Sequence, residues 1–153
     1  VAHRYLSARG LDDAACETLT DETLAVLENP DFAAAFAPGS RAEAAIVADL
    51  PELGPNARVN GRLDRLAVTD GVVLAVDFKT NRPAPRLVSE VETLYLAQMA
   101  LYRAALGKVF PQHRIDCALV WTEGPALMPL PAEILDRELA HIAARLDRAG
   151  TGS

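Results

Sequence analysis

Asp64, Asp77 and Lys79 are two carboxylates and an ammonium that together could hold a cation and act on groups around it, and their spacing brings them to one place. Asp70-Gly71 is a strong two-residue hairpin signal between the extended runs 58–68 and 72–79. Counting back from that turn sets Asp64 directly across from Asp77. Opposed residues in a hairpin have Cβ atoms about 4.5–5.5 Å apart, and like charges placed so repel. Strand alternation puts Lys79 on the same face as Asp77. Two carboxylates at this distance need a proton or a cation between them. A hard divalent ion such as Mg²⁺ or Mn²⁺ suits oxygen ligands of this kind. The competing arrangement is a surface Asp–Lys–Asp salt bridge. The run from Val72 to Lys79 is apolar on both faces, however, which predicts a strand covered on both sides. A charged cluster there is costly without a function.

The elements that must position these residues follow from periodicity and punctuation. Residues 1–38 read as helical, with Thr20 as an N-cap for the Asp21-Glu22 turn and Pro30 as a stop. Asp31 then caps a short piece through Phe32 and Phe36. Residues 42–48 read as a first strand, followed by a loop from Pro51 to Pro55 and the two strands of the hairpin. Ser89 and Glu92 form a capping box that opens a helix to about Leu106, with Gly107 as its C′ residue. A second hairpin joins 115–122 to 126–130 through Glu123-Gly124-Pro125. Pro131 begins a last helix with Ile134, Leu135, Leu139, Ile142 and Leu146 on one face, ended by Gly150. The order predicts an α/β domain: a mixed sheet flanked by helices.

The chain has 153 residues, enough for one domain with its own core. Half of them are hydrophobic and 24% are charged, which excludes a disordered chain. No apolar run approaches the length of a membrane span. Cys16 and Cys117 are the only cysteines, too few for a disulfide framework, a four-cysteine zinc site or an iron–sulfur cluster. A reducing, cytoplasmic compartment is the expectation. The chain opens at Val1 inside a helical pattern with no initiator Met, so a piece of a longer protein is expected. The net charge of −6 argues against a generic nucleic-acid binder. Between Arg58 and Arg86, however, six basic residues meet three acids, leaving +3 in that window and −9 in the rest.

The motifs Gly61-Arg-Leu-Asp64-Arg65, Asp77-Phe78-Lys79-Thr80 and Gln98-Met-Ala-Leu-Tyr102 resemble the successive motifs of the PD-(D/E)XK nuclease superfamily, in its RecB-type branch. D-x-K alone is a weak signal, but the three in combination are specific. The likeness runs from about Glu43 to Leu130, preceded by a helical lead-in (1–38) and followed by a C-terminal helix (131–150) of the same nuclease domain. The sequence around the motifs is similar to the nuclease domains of AddAB-type helicase–nucleases of double-strand-break repair. The resemblance implies a restriction-endonuclease-like fold and Mg²⁺- or Mn²⁺-dependent exonucleolytic hydrolysis of DNA ends.

It further implies Asp64, Asp77 and the carbonyl of Phe78 as metal ligands, with Glu43 a direct or water-mediated one. Lys79 would orient or deprotonate the attacking water and stabilise charge on the phosphate. Gln98 and Tyr102 lie four apart on one helix face, and the resemblance has them touching the site and the DNA. Arg62, Arg65 and Arg82 are further candidates for DNA contact. The implied partners are DNA ends or single strands, the helicase part of the same chain, and a second, AddB-like subunit. Members of the family usually carry a metal-ligating His on an upstream helix. His3 lacks that context and reads as a helix-surface residue, as do His113 and His141 on the protein surface.

Four alternatives accompany this reading. Tyr102 could pack with Tyr95 and Met99 as core with Gln98 solvated, and Glu43 could be an edge-strand charge. The domain could be a catalytically silent relative that binds DNA or a partner subunit. A glycosidase also uses two acids, but it calls for neither the lysine nor the Gln98–Tyr102 helix, and 5% aromatic content is poor for sugar stacking.

Overall fold

A computed structural model of the chain describes residues 2–123 and 126–150. Two helices lead in, α1 (Ala2–Ser7) and α2 (Asp13–Glu28), followed by a 3-10 turn at Pro30–Phe32. Five strands follow: β1 (Arg41–Asp49), β2 (Arg58–Thr69), β3 (Val72–Lys79), β4 (Arg114–Trp121) and β5 (Ala126–Leu130). Helix α3 (Thr93–Val109) connects β3 to β4, and α4 (Ala132–Gly150) closes the chain. The strands lie in the order β1-β2-β3-β4-β5, with β3 and β4 parallel and the other neighbours antiparallel. This is the expected mixed sheet flanked by helices. No helix among the described residues is long and apolar enough to cross a membrane.

Each face of the sheet has its own core. Val73, Ala75, Leu119 and Trp121 pack under α3 with Met99, Ala100, Ala105 and Leu106, and Leu135 of α4 joins them. On the opposite face Val76, Ala118 and Val120 meet Val26 of α2 with Phe32 and Ala35. The central strand β3 is therefore covered on both sides, as its unbroken apolar sequence requires.

Several element ends differ from the local signals. The N-cap of α2 is Asp12, whose carboxylate accepts the Ala15 N–H at 2.8 Å. Thr20 lies mid-helix and its hydroxyl bonds back to the Cys16 carbonyl at 2.7 Å, a use open to any helical threonine. Asp31 lies inside the short 3-10 turn, not at a cap. The Ser89–Glu92 box does not form. Residues 88–90 make a separate 3-10 turn, where Glu90 accepts the N–H groups of Arg86 and Leu87, and α3 starts at Thr93. Gly107 continues α3, which ends only where the Phe110 N–H returns to the Leu106 carbonyl. Leu146, near the end of α4, is exposed and does not join the face that Leu135 buries. His113 is not a plain surface residue: its Nδ1 is buried and its ring meets Phe110 edge-on. Gly124 and Pro125 of the second hairpin turn, and the side chain of His3, lie outside the described residues.

Gly61 is required by close approach. A Cβ there would sit 2.5 Å from a ring carbon of Tyr102 and 2.8 Å from its hydroxyl oxygen. The ring cannot easily retreat, since it is buried and its O–H donates to the Arg62 carbonyl. Gly61→Ala is expected to cost ~2 kcal/mol through overpacking, seen as a loss of about 4–8 °C in Tm. In a Tyr102→Leu background the same change should cost much less. Equal losses in both backgrounds, by thermal denaturation, would remove the Tyr102 contact as the cause.

Candidate active site

Strand alternation along β3 sends Val73, Ala75, Asp77 and Lys79 toward α3 and Leu74, Val76 and Phe78 toward α2. Asp77 is thereby carried into the interior. It is 5% exposed, the one charged side chain in the buried set among the described residues. Lys79, two residues on, meets it there, with Nζ 2.5 Å from Oδ2. Helix α3 supplies the remaining partners of the ammonium. Its Nζ donates to Gln98 Oε1 at 3.0 Å and stands 4.0 Å from the centre of the Tyr95 ring. Gln98 Nε2 in turn donates to the Tyr102 hydroxyl at 3.3 Å, and that hydroxyl donates to the Arg62 carbonyl at 3.1 Å. One continuous polar line thus runs from β3 across α3 to β2.

Asp64 reaches this line differently from the simple hairpin count. The β2–β3 ladder keeps the expected register from Thr69↔Val72 to Arg65↔Val76 and stops there. Val59, Gly61 and Leu63 face α3, yet so does Leu66, while Arg65 faces the α2 side. The alternation changes phase around Asp64. Opposite it on β1, Glu43 adopts a left-handed φ of 52° and drops out of the ladder. Freed from regular pairing, the Asp64 carboxylate accepts the Phe78 N–H at 2.8 Å. In an extended strand a residue's N–H and C=O leave on the same side, so the Phe78 carbonyl is aimed toward Asp64 as well. The next carbonyl, that of Lys79, points the other way and accepts the Thr122 N–H at 3.0 Å.

The predicted site residues therefore fall into two groups. Asp64, Asp77, Phe78, Lys79, Gln98 and Tyr102 come together. Tyr102 is both core and site, 8% exposed with its hydroxyl in the polar line. The other group is held elsewhere. Glu43 is exposed and ion-paired to Arg62 at 3.1 Å. Among the described residues no three acids, histidines or cysteines converge as a metal cluster. Arg65 faces inward, donating to the Ala35 carbonyl and Ser40 and lying over the Phe36 ring. Arg82 pairs with Glu22 of α2 at 2.8 Å. His141 is exposed beside Glu138. The contact that local reasoning missed is Tyr95 with Lys79. The signal was its place three residues before Gln98, on the same face of α3.

Burial pushes the Asp77 carboxyl above its ordinary value of 3.8, the hydrogen bond and charge of Lys79 pull it partly back, and the Asp64 charge adds to the rise. Burial likewise pushes the Cys117 thiol up to about 12, which leaves it inert. Two carboxylates and a carbonyl, all hard oxygen donors and mutually repelling without a cation, fit Mg²⁺ or Mn²⁺, which are commonly held by one or two carboxylates with substrate phosphate completing the shell.

The raised Asp77 value has a definite sign in stability. Between 3.8 and the higher folded value the native state binds more protons than the unfolded chain, so this carboxyl's contribution falls as pH rises through that window. Asp77→Asn cannot ionise and so escapes that loss, which already includes the partial offset from Lys79. The Tm of Asp77→Asn relative to wild type, without metal, is therefore expected to climb as pH rises above the ordinary carboxyl value of 3.8. A difference that falls with pH would show Lys79 to outweigh burial.

The architecture is shared with a candidate exonuclease from Eubacterium rectale, with a TM-score of 0.62 over 88% of this chain and 52% of that one. At 14% identity this likeness is one of fold. In sequence, a stretch of 62 residues is 32% identical to an ATP-dependent helicase/nuclease subunit of Oenococcus oeni, covering 40% of this chain and 5% of that protein. The chain thus spans about half of the structural neighbour and a small part of the sequence relative. A family model matches far more, aligning with residues 3–148 and enclosing every motif that forms the polar line. The chain belongs to the PD-(D/E)XK nuclease superfamily.

Proposed function

We propose that this domain hydrolyses phosphodiester bonds of DNA with Mg²⁺ or Mn²⁺, as the nuclease part of a helicase–nuclease that processes double-strand breaks. The observation that carries the reading is the buried Asp77–Lys79 pair, joined to Gln98 and flanked by Asp64 on the neighbouring strand. A structural salt bridge does not need burial, and buried ion pairs are weak contributors to stability. Asp64, Asp77 and the Phe78 carbonyl are the residues that would hold the ion. When bound, it would supply charge neutralisation at the phosphate and a more acidic water. Lys79 stands beside the carboxylates, where it can orient the attacking water and stabilise charge developing on the phosphoryl oxygens. Gln98 fixes the direction of its Nζ, and Tyr102 fixes Gln98. Arg62, exposed on β2, is the best placed of the arginines to meet the DNA backbone. The partners in this reading are DNA ends or single strands, a helicase portion of the same polypeptide and an AddB-like second subunit. The 32% identity to a helicase/nuclease protein supports that setting.

One observation favours a second reading, a silent domain that binds DNA or a partner. Glu43 is turned outward to Arg62 and does not join the two aspartates. The two readings part on cleavage. Incubated with single-stranded and duplex DNA, the protein is expected to cut with Mg²⁺ or Mn²⁺ and not with EDTA. Asp77→Ala and Lys79→Ala should each reduce cutting by roughly a thousandfold or more while leaving the circular dichroism unchanged. Full activity in either variant would end the assignment.

Metal binding has its own signature. An ion that binds only the folded state at ~10 mM, with Kd on the order of 1 mM, adds about 1.4 kcal/mol. Wild-type Tm should rise by about 3–6 °C with Mg²⁺ at matched ionic strength, and Asp64→Asn should lose most of that rise. A rise of equal size in the variant would place the ion elsewhere.

A further inference from the structure

Lys79 has a neighbour that hydrogen bonding does not explain. Its ammonium stands 4.0 Å from the centroid of the Tyr95 ring, and its side chain is 11% exposed, so the cation meets the ring in a largely dry place. We propose that Tyr95 is a positioning residue for Lys79, its ring the wall against which the ammonium is held. This inference rests on the nuclease reading for its catalytic consequence. The geometry stands on three observations.

The first is directional. Asp77 and Gln98 hold the Lys79 ammonium by hydrogen bonds, at 2.5 and 3.0 Å. An ammonium has three donors, and those two contacts alone would let the long side chain rotate about them. The face of an aromatic ring attracts a cation and offers no acceptor that competes with a substrate oxygen. Tyr95 therefore restrains the ammonium and leaves the third N–H free to point at a reacting group.

The second observation is that the ring is itself braced. Its hydroxyl donates to Asn81 Oδ1 at 2.9 Å, and Asn81 Nδ2 donates to Glu92 Oε1 at 3.3 Å. Asn81 follows Lys79 by two residues and Glu92 precedes α3, so the brace ties the end of β3 to the start of the helix. The Trp121 ring lies 6.3 Å away, centre to centre, at a tilt of 59°. The third is placement on α3. Tyr95 and Gln98 are three apart and address the same nitrogen from adjacent turns, so one helix sets both the hydrogen bond and the ring.

Two variants of the whole chain separate ring from hydroxyl. With Mg²⁺ and a single-stranded oligonucleotide, Tyr95→Leu is expected to lower kcat about tenfold with little change in KM, the range of a desolvated cation–π contact. Tyr95→Phe keeps the ring and should retain most of the rate. A purely structural role predicts instead that kcat is unchanged at temperatures below the melting of each variant, or that Phe fails as badly as Leu. A second readout needs no activity. The ring current of Tyr95 should move the Lys79 side-chain proton resonances upfield in wild type and Tyr95→Phe, and that shift should vanish in Tyr95→Leu. Unshifted Lys79 resonances in wild type would overturn the proposal. If wild type shows the shift and cuts no DNA, the nuclease reading falls and the catalytic part of the inference falls with it, while the Tyr95–Lys79 contact remains.

Discussion

A carboxylate inside a fully covered strand sets the terms for much of this fold. Asp77 is buried in β3, and removing such a charge from water is expensive unless partners replace the lost hydration. Lys79 is the nearest remedy, because the strand's period of two carries both side chains to one face. That solution buries an ammonium in turn, which then needs its own partners. Helix α3 answers with an amide oxygen and an aromatic face, and the amide is held by Tyr102, whose hydroxyl ends on a β2 carbonyl. The polar line exists because each group leaves the next one to be satisfied. It also explains why α3 approaches β2 so closely that only glycine fits at position 61.

The second constraint is the change of phase in β2. A regular strand would pair Asp64 with Asp77 through the ladder, leaving two carboxylates face to face. Instead the ladder stops at Arg65↔Val76, and Glu43 on β1 takes a left-handed conformation opposite the break. The cost of that backbone geometry is borne next to the charged cluster, where irregular strands commonly re-aim a side chain. The result is that Asp64 binds a backbone N–H and its repulsion with Asp77 is eased without being removed.

The arginines of the basic segment divide along the same lines. Arg65 crosses to the α2 face and clamps the residues after α2 through Ala35, Ser40 and Phe36. Arg82 ties the end of β3 to α2 through Glu22. Arg58 and Arg62 stay exposed, each against an acid of β1, Asp49 and Glu43. Exposed pairs of this kind are weak and screened by salt, so a polyanion can displace those acids at small cost. A local basic charge of +3 is thus partly neutralised in the free chain and available on contact.

Much of this arrangement was legible in the residues alone, wherever a local rule had one solution. Strand bounds, the hairpin register, the shared face of Asp77 and Lys79 and the i, i+4 pairing of Gln98 with Tyr102 all follow from backbone periods and one Asp-Gly turn. Asp64 and Asp77 could be named from spacing, but not the way Asp64 turns. Helix starts were legible only as competitors: Thr20 and Ser89 are good caps in isolation, yet Asp12 and the turn at 88–90 took those roles. Tertiary structure alone decided where Glu43, Arg65 and Arg82 point and that Tyr95 meets Lys79, because no local rule governs those contacts: a long charged side chain has many rotamers of similar energy, and only a fixed neighbour selects one.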